Sequence, residues 1–135
     1  MAEAVFPLVR KIAEQNDSHV ILFHVTTPMD AMYYGSELMA ASVDLEHTLR
    51  VQANTYLQHT LSAWVDRGLK AVAVLKDAPK VPAAITAYAI EHGVDLIAMS
   101  THGRSGLDNL LVGGVAVSVL HLTQVPVLMV HPDET

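Results

Sequence analysis

An α/β fold built on an open parallel sheet with helices on both faces is what this 135-residue sequence predicts. Three features point to it. Helix-period segments alternate with short branched apolar runs along the whole chain. Those runs are continuously apolar, as in parallel strands buried on both faces. A glycine-bearing segment, MSTHGRSGLDNLLVGG at residues 99–114, joins one such run to a helix-period stretch. Alternation of this kind implies right-handed crossovers between parallel neighbours.

The elements follow in order. Ala2, Val5, Phe6, Val9, Ile12 and Ala13 fall at helical spacing and predict a helix over residues 2–15. Asn16, Asp17 and Ser18 signal a turn, and residues 19–25 (HVILFHV) read as a buried strand. Residues 26–40 contain Pro28 and Gly35, show no clean period and are expected to form a long loop. Leu45, Leu49, Ala53, Tyr56, Leu57, Leu61 and Trp64 mark a long helix closed by Gly68. Residues 71–75 form a second strand. Pro82 opens a helix that ends at His92 and Gly93. The run around Leu96 is a third strand, residues 115–122 a last helix, and residues 127–130 a fourth strand with Pro126 at its start.

Composition narrows the function. One domain over residues 1–135 is expected from length. With 8 basic against 14 acidic residues the net charge is −6, which disfavours nucleic acid as a partner. There is no cysteine, so thiol chemistry and Cys-ligated zinc are excluded. No apolar stretch reaches the ~18 residues of a membrane span, and the N-terminus lacks signal-peptide character. A soluble cytoplasmic protein is expected.

The glycine segment carries whatever chemistry is present. Val115 and Ala116, not Lys-Ser/Thr, follow the last glycine pair, so it is not a Walker loop, and the spacing of Gly103 and Gly106 rules out the dinucleotide fingerprint. Two readings stand. Gly103, Gly106, Gly113 and Gly114 lie at a strand exit and a helix entry, where bare amides form an anion cradle with Arg104 beside it. Alternatively the segment is a long turn that binds nothing.

Residues 93–106 (GVDLIAMSTHGRSG), together with residues 110–116 (LLVGGVA) and 125–130 (VPVLMV), resemble the universal stress protein domain. The likeness extends to residues 2–5, 22–25 and 82–85 and so spans nearly the whole chain. It implies an adenine nucleotide alpha hydrolase-like sheet of order 3-2-1-4-5 and, in many members, ATP bound through G-x2-G-x9-G-S/T. Here Ser100 stands at the first glycine, Gly103 at the second, Gly113 at the third and Gly114 at the hydroxyl position. Val25 and Met99 match residues of the adenine and ribose pocket, and Val115 and Ala116 match residues beside the phosphates; Ser100, His102 and Arg104 complete the implied site.

The family's first strand and its adenine-binding Asp are expected ahead of Ala2 and do not appear, so restoring such a strand upstream is expected to raise the melting temperature. A helix terminus contributes about 0.3–1 kcal/mol to an exposed anion and about 2 when partly buried. Micromolar affinity needs roughly 8 kcal/mol. Weak or no ATP binding is therefore expected, with Mg²⁺ only as the companion of ATP.

The resemblance further implies a stress-response binding or regulatory module that is not an enzyme, or at most a slow ATPase. Rival readings are a competent ATP switch and a purely structural dimerisation partner. A homodimer through Val127, Leu128, Met129 and Val130 is expected, because an apolar edge without lysine finds a partner. The eight histidines show no zinc spacing. His102 and His131 read as a loop and a strand-end residue. Met29, Met32, Met39, Tyr33 and Tyr34 lie in the long loop.

Overall fold

The computed structural model describes residues 2–28, 36–101 and 114–131. They form two compact units, Met1–Ser18 with Val81–Thr135, and His19–Lys80.

The first unit opens with a 3-10 turn at Ala2–Val5 that passes into helix α1, Phe6–Asn16. The expected helix over residues 2–15 is therefore α-helical only from Phe6. Pro7 has no N–H to close an α-type bond back onto the preceding turn, and the first helical turn is where proline is tolerated. Asp17 ends α1 in the left-handed conformation, with φ 51°. In the same unit, α3 (Val81–Glu91) starts with Pro82 in its first turn, as predicted, and leads to β3 (Ile97–Ser100). The last elements are α4 (Gly114–Leu122) and β4 (Val127–Val130).

β3 and β4 pair in parallel, Ile97 beside Val127 through Ser100 beside Val130. β3 begins later than the apolar run suggests because Val94 is consumed by the helix end before it: its N–H donates to Ala89 O at 2.9 Å. Ala89, Ile97 and Val119 form the core of this unit, with Ile85, Val94, Met99, Val125 and Val127 packed around them. Val119 is completely buried.

The second unit holds β1 (His19–Thr26), α2 (Ser36–Asp66) and β2 (Lys70–Asp77). β1 and β2 pair in parallel from His19 beside Lys70 to Thr26 beside Asp77. The expected loop over residues 26–40 is corrected here, because residues 36–40 belong to α2. Glu37, Leu38, Met39, Ala40 and Ala41 are strong helix formers, and the lack of an amphipathic period in that stretch hid them. The second part of α2 turns Leu57, Thr60 and Trp64 inward, all buried. At the other end of the sheet, Arg50 of α2 pairs with Asp77 at 2.5 Å, and the Thr26 hydroxyl donates to the same carboxylate.

Candidate functional site

In open parallel sheets ligands bind beyond the carboxyl ends of the strands, and in the first unit that end is unusually polar. Past Ser100 and Val130 the ladder continues one step: the Thr101 N–H donates to Val130 O at 2.9 Å. The Thr101 hydroxyl then stands 3.3 Å from His131 Nδ1. Side chains alternate along a strand, so Ile97, Met99 and Thr101 share one face, as do Val127, Met129 and His131. This is the face against which Val119 of α4 packs.

A helix joining parallel neighbours returns antiparallel to them, so the first turn of α4 lies at the carboxyl ends of β3 and β4. That turn begins with Gly114. A Cβ there would meet no other described atom within 4 Å, and its φ is not left-handed. Neither packing among the described residues nor backbone conformation demands glycine at this position. What glycine leaves is an unscreened amide at the positive end of a helix dipole.

The site residues expected from sequence divide accordingly. Met99 and Ser100, half-buried, form the end of β3. Gly114 and Val115 are exposed at the start of α4, whereas Ala116 is 2 % exposed and has only its backbone to offer a ligand. Val25 lies near the carboxyl end of β1 in the other unit, half-buried. His102, Gly103, Arg104 and Gly113 lie outside the described residues, as does the Met29, Met32, Tyr33 and Tyr34 group.

The sequence does not single out Thr101, and His131 reads there as a strand-end residue. Only the register of β3 on β4 puts them side by side. Equally invisible was the polar end of the other sheet, where Thr26 and Arg50 share Asp77. Among the described residues no group of three or more His, Asp or Glu is placed to hold a metal. No helix among them is long and apolar enough to cross a membrane.

Comparison with known proteins agrees with this architecture. A curated relative, universal stress protein A homolog 1 of Coxiella burnetii, is 29 % identical over 136 aligned residues, covering 98 % of this chain and 90 % of the relative. Among solved structures, the universal stress protein UspA of Lactobacillus plantarum superposes with a TM-score of 0.79 at 16 % identity, over 96 % of this chain and 90 % of that one. A universal stress protein of Archaeoglobus fulgidus, solved in complex with dAMP, gives 0.64 at 19 % identity, over 94 % and 85 % of the two chains. These structures share the α/β fold. The universal stress protein family model matches residues 2–131, and the chain belongs to that family.

Proposed function

We propose that this protein is a stress-response binding and regulatory module, working in the cytoplasm as a homodimer and binding an adenine nucleotide weakly beyond the carboxyl ends of β3 and β4. The observation that carries the reading is the start of α4. Gly114 opens that helix with a bare amide and no described atom within 4 Å of where a Cβ would stand, at the end of the sheet where α/β folds hold anions. A family relative of the same fold takes dAMP, which makes an adenine nucleotide the ligand class to test.

Affinity is proposed to be low because the residue after the third glycine is Gly114 and not a hydroxyl residue. Bare helix-terminal amides supply about 2 kcal/mol at most, against roughly 8 for micromolar binding. No catalytic step is assigned, and Mg²⁺ enters only as the counter-ion of ATP. A nucleotide held weakly suits a module whose state follows cellular nucleotide levels.

The experiment is an ATP titration of the full chain and of Gly114→Ser. A serine side chain fits, since nothing described lies within 4 Å of its Cβ. One added hydrogen bond corresponds to about 1 kcal/mol, or roughly fivefold in affinity. Binding weaker than micromolar in the wild type, tightened roughly fivefold by serine, supports the reading. Micromolar binding by the wild type overturns the claim of a reduced site, and no binding by either protein overturns the nucleotide itself.

A further inference from the structure

Helix α2 is longer than the strand it returns along. It turns into β2 at Gly68, and Arg50 meets Asp77 at the carboxyl end of that strand. From Arg50 to Asp66 the helix rises about 24 Å, which matches the roughly 23 Å of β2 from Lys70 to Asp77. Residues 36–49 of α2 therefore continue about 20 Å past the end of the strand. Burial follows the same division. Leu57 and Trp64, alongside the strands, are 6 % and 2 % exposed, whereas Leu45 and Leu49 in the projecting part are 46 % and 47 % exposed. These two leucines stand one turn apart and share one face of the helix.

Negative charge collects on the same stretch of chain. Residues 26–49 hold Asp30, Glu37, Asp44 and Glu46 and no lysine or arginine, a charge of −4 out of the net −6. Arg50, the next cation, is matched by Asp77. We propose that the projecting part of α2, through Leu45 and Leu49, docks a cationic amphipathic helix of a partner protein. The proposal goes beyond the nucleotide reading and stands without it. A helix packs a ridge of residues spaced by four into the grooves of another, and Leu45 and Leu49 form such a ridge. Burial of the leucines supplies affinity, while opposite charge steers the encounter and selects the partner. A second copy of this chain is disfavoured, because it would set two anionic stretches against each other.

The test titrates the isotope-labelled full chain, followed by NMR, with a synthetic helical peptide of leucine and lysine. Two control peptides keep its pattern, one with glutamate for lysine and one with glutamine for leucine. The leucine–lysine peptide is expected to shift the amide signals of residues 41–53, and both controls to bind at least about tenfold more weakly. Leu45→Gln and Leu49→Gln retain helix propensity. Each is expected to weaken the leucine–lysine peptide about tenfold with an unchanged melting temperature. Added salt should weaken it as well. Residues 41–53 that do not respond to the peptide overturn the proposal. Equal binding by both leucine variants, or by the glutamine control, means that charge alone attracts the peptide and overturns the apolar site. Equal binding of the glutamate control overturns the cationic partner. Signals of residues 41–53 that move on dilution without peptide show that a second copy covers the leucines, which also overturns it. Should one leucine variant fail to fold, the other decides.

Discussion

His24 ties the stability of this fold to pH through one side chain. More than a third of the residue is open to solvent, yet protein atoms crowd part of its ring. That partial loss of hydration lowers its pKa from the ordinary 6.5. The folded chain therefore binds a proton at His24 less readily than the unfolded chain does. The stability His24 permits is complete above the ordinary histidine value and is lost as pH falls from there towards the lowered one. Thermal melts of the wild type and of His24→Gln should diverge across that window. The wild type is expected to lose melting temperature more steeply between about pH 7 and pH 5, and parallel curves would show that His24 contributes nothing. Legibility at this scale was uneven. Met99, Ser100 and Gly114 stand out in the sequence because strand exits and glycines are local signals. The Thr101 and His131 pair does not, because thirty residues separate its members and only strand register joins them.

Two of the helices end in the same way, and the ending can be tested as a unit. At the end of α2 the Gly68 N–H donates to Val65 O at 2.8 Å and the Leu69 N–H to Trp64 O at 3.1 Å. At the end of α3 the Gly93 N–H donates to Ile90 O at 3.3 Å and the Val94 N–H to Ala89 O at 2.9 Å. Both patterns are Schellman caps, with φ +87° at Gly68 and +62° at Gly93. No described atom lies where a Cβ would go at either glycine, so the cost of alanine is conformational alone. Gly68→Ala and Gly93→Ala should each destabilise by about 1–2 kcal/mol, and asparagine should cost less at both sites. Denaturant melts would measure this; alanine as stable as glycine would mean that the caps do not hold the helix ends. By contrast, the Arg50–Asp77 pair is half open to solvent, and Arg50→Ala is expected to cost at most about 1 kcal/mol. The glycine caps were readable in the sequence, as were Pro82 and the four strands among the described residues. Residues 36–40 were not, because helix propensity without an amphipathic stripe resembles a loop bounded by Pro28 and Gly35.

At the scale of the whole molecule, the continuous apolar strands and the helix-period runs between them fixed the α/β class, and the family match over residues 2–131 bears it out. A ligand is harder to read at this scale, because a bare glycine amide at a helix start looks the same in sequence whether it seats an anion or merely turns the chain. Assembly offers a more direct test. β4 pairs with β3, and none of its four residues is charged or proline, so it lacks the devices by which proteins block sheet edges. The proposed homodimer through Val127–Val130 uses this strand. Val127 packs with the core beneath α3 and α4, and alternation turns Leu128 to the opposite face, so a charge at Leu128 blocks pairing without entering that core. Four residues from each copy fall short of the ~800 Å² per partner of a standard interface, so the pairing should weaken on dilution unless flanking segments add to it. Light scattering on a size-exclusion column should show a wild-type dimer at concentrations on the order of tens of micromolar, with monomer appearing as the sample is diluted. Leu128→Lys should be monomeric throughout with a near-native melting temperature. A wild type that is monomeric at every concentration removes the dimer, and a Leu128→Lys protein that still dimerises moves the interface away from β4.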